Sequence, residues 1–340
     1  MRFLVPTVTL AGLALLITGC GGPAASSAGD GRLPVSAAFY PLQFAAERIG
    51  GDHVTVTGLT KPGVEPHDLE LTPREVADLR SAALVFYESS LQPAVDDATQ
   101  ILDPGVAYDV AGDARLLPAD HAAHAEETEH SPETETEEPE TGHAEGTEDP
   151  DHDGDSHAED GDGHDHGGVD PHFWLDPTRL ADVGVAMAAA LAEKDPAHAA
   201  DYRRNATDLA EELHALDREY RDRLAGCQVR ELVTSHAAFG YLADRYGFTH
   251  HAIAGLSPED EPSAGTMKEI VDFLAEHRVP TVYTETLANP IVAETVAKEA
   301  GAATAVLDPV EGVTEASTGD TYPDIMRGNL ETLVRGQACG

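Results

Sequence analysis

The sequence predicts an α/β protein with two lobes, each built on a mainly parallel sheet, bridged by one long rigid helix. Short apolar runs typical of strands alternate with helical patterns in both halves of the 340-residue chain. This alternation indicates parallel sheets with helices on their faces. One helical pattern, over residues 196–226, is much longer than the others and separates the two halves.

The first half, residues 33–195, is the predicted N-terminal lobe. Runs rich in β-branched and apolar residues predict strands at residues 33–38, 54–59, 84–87 and 105–110. Helical patterns lie between and after these runs, at residues 40–49, 73–82, 91–101 and 178–193. Gly50 and Gly51 end the first helix, and Pro73 suits the first turn of the second.

The composition changes within this lobe, at residues 119–168. This segment contains 19 Asp and Glu and eight His, but no Lys or Arg and almost no aliphatic side chain larger than alanine. It buries too little apolar surface to offset the entropy that is lost on ordering. We therefore predict a disordered insertion.

The long helix is predicted at residues 196–226. Asp195 and Pro196 suit the N-cap and the first helical position, and Gly226 suits the end. Apolar residues recur every three or four positions, which predicts one buried face on a charged helix. These residues are Leu209, Leu213, Leu216, Tyr220 and Leu224. The pattern indicates a rigid strut between the lobes.

The second half, residues 227–340, repeats the alternation and is the predicted C-terminal lobe. Its predicted strands are residues 229–234, 248–253, 281–284 and 303–307. Its predicted helices are residues 236–246, 266–276, 291–300 and 323–336. The same class of sheet is expected in both lobes.

The N-terminus carries an export signal. An apolar run at residues 3–17 is too short for a membrane-spanning helix, so residues 1–19 are predicted to be a signal peptide. Residues 17–20, I-T-G-C, resemble the bacterial lipoprotein box, which implies a lipid on Cys20 and a flexible tether, residues 20–32. An ordinary signal peptide with a coincidental cysteine is the alternative. The mature chain is expected outside the cytoplasm, anchored to the cell membrane at the cell surface or in the periplasm.

Two cysteines, Cys227 and Cys339, remain besides Cys20. In an oxidising compartment two cysteines indicate one disulfide. This bond would tie the start of the C-terminal lobe to the end of the chain. Two separate buried thiols are the alternative.

The chain is strongly acidic, with a formal net charge of −41. The insertion holds 19 of the 62 acidic residues, so 43 acidic residues face 21 Lys and Arg in the remainder. This balance argues against nucleic acid and anionic lipid as partners, and it suits a protein that binds cations.

Four side chains share one structural position, just past a predicted strand or on the loop that follows one. They are His67, His172, His236 and Asp308. Ligands of α/β folds bind at this edge of the sheet, and two of the residues come from each half, which predicts a metal site in the cleft between the lobes. Three imidazoles and one carboxylate make a closed tetrahedral set suited to Zn²⁺, whereas manganese prefers more oxygen.

Five motifs, in this order, carry a resemblance to a known family. They are K-P-G-V-E-P-H-D-L-E at residues 61–70, D-P-H-F-W-L-D-P at 170–177, T-S-H-A-A-F-G-Y-L-A-D-R-Y-G at 234–247, G-L-S-P-E-D-E-P-S at 255–263 and Y-P-D-I-M-R-G-N-L at 322–330. From residue 33 to the C-terminus, apart from the insertion, the chain resembles the metal-binding lipoproteins that serve bacterial zinc and manganese ABC importers.

The resemblance implies a receptor that binds Zn²⁺ and delivers it to an ABC permease in the membrane. It places the metal ligands of the family on His67, His172 and His236, with the fourth, acidic position on Asp308. Manganese-type members tend to carry Glu where His236 stands, so the zinc branch is expected. A manganese or mixed-metal receptor is the alternative. The implied form is a monomer of two α/β lobes around one helix, with limited closing motion.

The fourth ligand position has competitors. Some zinc receptors of this kind complete the shell with water or with a Glu near the first histidine, which makes Glu65 an alternative to Asp308. Glu285 follows another predicted strand, and we expect it to support the site from outside or to lie between the lobes. His250 and His251 are neighbours in a predicted strand, so their side chains point to opposite faces and do not share one ion.

The insertion is a second, separate metal feature. Its histidines are His121, His124, His130, His143, His152, His157, His164 and His166. Mobile imidazoles and carboxylates lose entropy on binding, so we expect many weak zinc sites that gather the ion beside the cleft. A solvated spacer is the alternative.

Two other classes of function are less well supported. A zinc hydrolase needs an open metal position and a general base, and the sequence contains no H-E-x-x-H motif, no G-x-S-x-G motif and no glycine-rich phosphate loop. The chain is therefore predicted not to be an enzyme. Cell adhesion would be an added role, since it leaves the cleft residues unexplained.

Overall fold

The computed structural model describes residues 31–119 and 168–340. The predicted signal peptide, Cys20 and most of the tether lie outside these ranges, and so do the eight histidines of the insertion. Among the helices of these two ranges, none combines the length and the hydropathy that a membrane-spanning helix needs.

The N-terminal lobe contains one parallel, four-stranded sheet. Its strands are β1 (Leu33–Ala37), β2 (Val54–Gly58), β3 (Leu84–Tyr87) and β4 (Ala107–Asp109), in the order β2-β1-β3-β4. Its helices are α1 (Tyr40–Gly50), α2 (Pro73–Leu79), α3 (Pro93–Thr99), α4 (Ala111–Ala114) and α5 (Pro177–Lys194). The central strands β1 and β3 are mostly buried, as expected when helices cover both faces of a sheet.

Two helices of this lobe are shorter than predicted. The helix predicted at residues 91–101 begins at Pro93, because proline suits the first turn of a helix but not its interior, and it ends at Thr99. The helix predicted at residues 73–82 ends at Leu79. Thr72 caps that helix, and its side chain accepts from the backbone N of Glu75.

A two-stranded ribbon at the base of the insertion was not predicted. It consists of β5 (Leu117–Pro118) and β6 (Val169–Asp170), paired antiparallel. Tyr241 of the C-terminal lobe fastens the ribbon, because its hydroxyl accepts from Leu117 N (2.7 Å) and donates to Asp170 O (2.6 Å). Strands of two residues are too short to show a hydrophobic period, so the sequence pattern could not reveal them.

The C-terminal lobe repeats the parallel arrangement. Its strands are β7 (Glu231–Thr234), β8 (Thr249–Ala252), β9 (Thr281–Thr284) and β10 (Ala303–Val306), in the order β10-β9-β7-β8. Its helices are α7 (Gly240–Tyr246), α8 (Ala264–His277), α9 (Ile291–Ala300) and α10 (Tyr322–Gly336). The helix predicted from His236 begins later, because His236 is extended and a 3₁₀ turn, Ala237–Phe239, precedes α7.

The long helix α6 (Ala199–Leu224) contacts both lobes. All five residues of its predicted apolar stripe are buried. On one side Asn205 Nδ2 donates to Ile49 O of α1 over 2.9 Å. On the other side the Tyr220 hydroxyl donates to Met326 O of α10 over 2.5 Å. The helix is thus bonded to both lobes and holds them together.

One buried apolar cluster runs through both lobes and α6. Trp174 is a fully buried member, with its ring centroid 4.9 Å from that of Phe39. Its Nε1 donates to Pro309 O of the C-terminal lobe over 2.8 Å. A second, smaller cluster lies between β7, β9, α8 and α9 of the C-terminal lobe. The predicted fold class, two α/β lobes with parallel sheets joined by a long helix, is confirmed.

The sulfur atoms of Cys227 and Cys339 are bonded across 112 residues of sequence. The two residues also form an isolated antiparallel bridge. Cys227 follows α6 and Cys339 follows α10, so the bond joins the strut to the C-terminus.

Replacing Cys227 and Cys339 by serine is expected to lower the free energy of unfolding by about 2–4 kcal/mol, because the bond restricts a long loop of the unfolded chain. Urea unfolding, followed by circular dichroism, measures the change. The reduced wild-type protein is the matched control and should unfold at the same urea concentration as the variant. A variant as stable as the oxidised protein would contradict the prediction.

Candidate metal centre

His67 lies on the loop after β2, where its neighbours hold it. Its backbone N donates to Glu65 Oε1 over 3.2 Å, and Leu69 N closes a turn on Pro66 O over 3.2 Å. Gln92 Nε2 donates to the same Pro66 oxygen over 3.1 Å. These contacts fix the loop, and the His67 imidazole is buried.

His172 follows β6 and is fully buried. Asp170 Oδ1 accepts from the backbone N of His172 (2.9 Å) and from its Nδ1 (2.7 Å). The imidazole packs edge-on against Trp174, with ring centroids 5.4 Å apart. Because Nδ1 donates to Asp170, the lone pair of Nε2 is left for a ligand, the arrangement that metal-binding histidines use.

His236 is the second residue after β7. Glu285, the first residue after β9, accepts from the backbone N of His236 (3.0 Å) and, in a short contact, from its Nδ1. Thr234 Oγ1 donates to His236 O over 2.6 Å and pairs with His250 Nε2 over 2.8 Å. Glu285 therefore lies outside the cluster and orients the His236 ring, so that Nε2 faces the other two imidazoles.

The carboxylate that completes the cluster is Glu311, on the loop after β10. Asp308, the predicted fourth residue, lies buried on the same loop, but its Oδ1 accepts from Val310 N (2.8 Å) and its Oδ2 accepts from Ser317 Oγ (2.7 Å). Glu65, the alternative, accepts a backbone hydrogen bond and is not part of the cluster. The assignment of the fourth position is therefore corrected from Asp308 to Glu311.

The four residues of the cluster bring their ligand atoms close together in a buried place. These atoms, from His67, His172, His236 and Glu311, all lie within 4.8 Å of one another. His67 Nε2 and His172 Nε2 are 3.2 Å apart. Glu311 Oε1 lies 3.4, 3.5 and 3.7 Å from the Nε2 atoms of His172, His236 and His67. Two atoms bound to one tetrahedral zinc ion are about 3.4 Å apart, so the spacing fits such an ion.

The three histidines differ in pKa. Burial lowers the pKa of His67 to about 4, so this ring is neutral at pH 7. Burial would also lower the pKa of His172, but the carboxylates beside it, Asp170 foremost, outweigh burial and raise the pKa. The pKa of His236 is raised well above its ordinary value, because Glu285 and a second carboxylate outweigh burial in the same way. A raised pKa makes a ring harder to deprotonate, and a metal ion binds only the deprotonated nitrogen, so binding at these two rings depends on pH.

Glu311 and Glu65 have opposite charge states. Burial would raise the pKa of Glu311, but the three surrounding imidazoles hold it well below its ordinary value, so Glu311 is an anion. Burial and the nearby Glu311 raise the pKa of Glu65 to about 9, so Glu65 is neutral at pH 7. The neutral state of Glu65 makes it the poorer ligand for a cation.

His250 and His251 lie apart from the cluster, on opposite faces of β8. His250 is buried and contacts Thr234. His251 is half-buried, and its Nε2 lies 2.9 Å from Glu231 Oε2. Neither ring reaches the ligand atoms of the cluster.

Two features of the site were not predicted from the sequence. Glu311 lies only three residues after Asp308, and the direction of the loop decides which carboxylate enters the cleft. Asp side chains often accept a hydrogen bond from the backbone N two residues on. This tendency disfavours Asp308 as a metal ligand and favours Glu311. Asp170 is the second feature, because its contact with His172 Nδ1 makes it part of the support of the site.

Comparisons with known proteins agree with the geometry. The model of the ZnuA family, described as zinc-uptake complex component A, periplasmic, matches residues 35–336. The high-affinity zinc uptake system protein ZnuA of Bacillus subtilis is 32% identical over 325 residues, which are 94% of this chain and 93% of that protein. The zinc-binding lipoprotein AdcA of Streptococcus pneumoniae serotype 4 is 33% identical over 309 residues, which are 89% of this chain but only 56% of that protein.

A solved structure is similar to most of the chain. It is the crystal structure of the Zn(II)-bound ZnuA-like domain of Streptococcus pneumoniae AdcA, with a TM-score of 0.68 and 29% identity over 90% of this chain and 99% of that one. The chain thus spans about half the length of the streptococcal protein and matches one domain of it. Because the family model and the Bacillus relative both cover most of the sequence, the chain belongs to the ZnuA family of periplasmic zinc-uptake components.

Proposed function

We propose that the chain is an extracytoplasmic receptor that binds Zn²⁺ with His67, His172, His236 and Glu311 and delivers the ion to an ABC permease. One observation carries this proposal: three nitrogens and one oxygen converge from the two lobes at separations near those around a tetrahedral zinc ion. The relatives that are named for zinc binding or zinc uptake support the choice of cargo.

The chemistry of the ligands favours zinc over manganese. Imidazole suits zinc, whereas Mn²⁺ prefers carboxylate, carbonyl and water oxygens. Four protein ligands close the tetrahedral shell and leave no position for the water that a catalytic zinc activates. A closed shell therefore supports a binding protein over a hydrolase.

The ion can be released by a movement of the lobes, because the ligands come from both of them. His67 and His172 belong to the N-terminal lobe, and His236 and Glu311 belong to the C-terminal lobe. A small displacement of one lobe on the permease would separate the two pairs of ligands. A lipid on Cys20 would keep the receptor beside the permease, and a monomer suffices because one chain supplies all four ligands.

Loss of one imidazole should abolish tight binding. His67→Ala and His172→Ala are each expected to weaken zinc binding by more than about a hundredfold, because even residues that only orient ligands commonly contribute 10- to 100-fold. Competition with a chromogenic chelator measures the affinity. His251→Ala is the matched control, since it removes a half-buried imidazole outside the cluster. Equal affinities for all three variants, or Mn²⁺ competing as well as Zn²⁺, would contradict the assignment.

Zinc binding should release protons. The raised pKa values of His172 and His236 favour proton binding by these rings in the metal-free protein, and zinc needs unprotonated nitrogens, so zinc binding is expected to release protons. Affinity should therefore fall as the pH is lowered, starting above the ordinary imidazole range. Calorimetry in buffers of different ionisation enthalpy counts the protons.

Glu285→Gln provides the control for the proton count. The substitution removes the carboxylate that raises the pKa of His236, so burial should then lower this pKa and fewer protons should be released. If the wild-type enthalpy does not depend on the buffer, the predicted charge states are wrong.

The insertion should add weak sites without affecting the tight one. Replacing residues 119–168 by a short Gly–Ser linker is expected to lower the number of zinc ions bound at high zinc concentration, because eight imidazoles are removed, while the tight site keeps its affinity. Equilibrium dialysis with metal analysis gives both numbers. A full-length variant with the eight histidines changed to Gln separates the imidazoles from the acidic residues. Loss of the tight site would contradict the prediction.

A further inference from the structure

Val310, the residue before Glu311, has an unusual backbone conformation. Its φ is +60°, although the residue is β-branched and fully buried. Valine rarely adopts this left-handed region, because its branched side chain crowds the backbone there. Such a conformation persists only where the surrounding contacts impose it, and it is frequent at ligand clamps and switches.

Asp308 imposes the turn from within the loop. Its Oδ1 accepts from Val310 N over 2.8 Å, which closes a turn across Pro309. Asn329 holds the aspartate in place, because Asn329 Oδ1 accepts from Asp308 N (2.9 Å) and Asn329 Nδ2 donates to Asp308 O (2.7 Å). Ser317 Oγ donates to the second carboxylate oxygen over 2.7 Å. The carboxylate predicted as a ligand is thus occupied in shaping the turn.

Trp174 holds the same turn from the N-terminal lobe. Its Nε1 donates to Pro309 O, the carbonyl group between Asp308 and Val310, over 2.8 Å. Its indole packs edge-on against His172. One side chain therefore contacts a proposed ligand of one lobe and the turn that carries the proposed ligand of the other.

We propose that Asp308 and Trp174 are positioning residues, which together hold the strained turn at Val310 and so aim Glu311 at the metal ion. This inference rests on the proposed function, because the position of Glu311 matters only if it binds the ion. Since Trp174 reaches the turn from the other lobe, its hold lasts only while the lobes stay together. When they separate, the turn loses the hydrogen bond from Trp174 and only the contacts within its own lobe remain, so Glu311 is held less firmly, which assists the release of the ion.

Removal of the Asp308 carboxylate tests the first part. Asp308→Ala is expected to weaken zinc binding by about 10- to 100-fold, the usual effect of losing a residue that orients a ligand. Asp308→Asn keeps an oxygen that can accept from Val310 N and should bind zinc nearly as tightly as the wild type. Cobalt(II) gives a second readout, because the visible spectrum of the Asp308→Ala complex should resemble that of Glu311→Gln.

Val310→Gly separates positioning from general damage to the fold. Glycine adopts positive φ without crowding, so the turn no longer needs to be held. Adding Val310→Gly to Asp308→Ala should therefore restore most of the lost affinity. Asp217→Ala is the matched control, because it removes a buried carboxylate of α6 that accepts from Arg245 Nε (2.9 Å), and it should lower the melting temperature without changing the affinity.

Trp174→Phe tests the link between the lobes. The substitution keeps an aromatic ring and removes the hydrogen bond to Pro309 O. Zinc dissociation, followed by stopped-flow mixing with a chelator, should become roughly fivefold faster, the effect of losing one ordinary hydrogen bond. The increase should be smaller in a Val310→Gly background. If Asp308→Ala does not fold, the zinc dissociation rates of Trp174→Phe with and without Val310→Gly test the proposal in its place.

Each part of the proposal is overturned by a different experimental result. Wild-type affinity in Asp308→Ala, or a loss that Val310→Gly does not restore, overturns the role of Asp308. A wild-type dissociation rate in Trp174→Phe overturns the role of Trp174. If Glu311→Gln itself binds zinc as tightly as the wild type, the proposed ligand set fails and this inference fails with it. A weakened Glu311→Gln beside an unchanged Asp308→Ala overturns the positioning role alone.

Discussion

The contact between the buried carboxylate of Glu311 and three imidazoles is the interaction on which the rest of the site depends. An unpaired anion in such a place would cost several kcal/mol. His172 and His236 contact it, and each ring is backed by a carboxylate of its own, Asp170 or Glu285. A divalent cation bound to the same four groups would pair with this carboxylate directly. The same contacts that stabilise the metal-free cluster therefore prepare it for an ion of charge two.

The contacts between Glu311 and the imidazoles form only if the two lobes keep a nearly fixed separation. Parallel strands place their following loops at one edge of each sheet, so the topology by itself turns the loops after β2, β7 and β10 toward the cleft. The helix α6 and the shared apolar core then hold the two edges at the distance that the ligand atoms need. A fixed separation of the lobes is thus part of the binding chemistry, because a shift of about 1 Å is enough to spoil the geometry of such a site.

The sequence predicted most of this arrangement, and the parts that it missed have physical causes. His67 and His236 were found because they follow strands with clear apolar patterns. The choice between Asp308 and Glu311 depends on one backbone angle, the φ of Val310, which tertiary contacts impose and no local pattern records. The ribbon of β5 and β6 was not predicted for a related reason. Its two strands pair across the insertion, and such a long-range contact leaves no local pattern in the sequence. Long elements with a hydrophobic period can be predicted from the sequence, whereas single turns and two-residue strands cannot.

The ribbon has a consequence for protein engineering. Ala119 N donates to Gly168 O over 2.9 Å, so the chain leaves the N-terminal lobe and returns to it at neighbouring points. A guest domain whose own termini lie close together could be spliced between these two residues, because neither lobe would need to move to accept it. Since β6 leads directly to His172, a fluorescent guest at this junction would be covalently joined to the metal centre by a few residues of ordered backbone, and the same junction could serve as the grafting point for a zinc sensor.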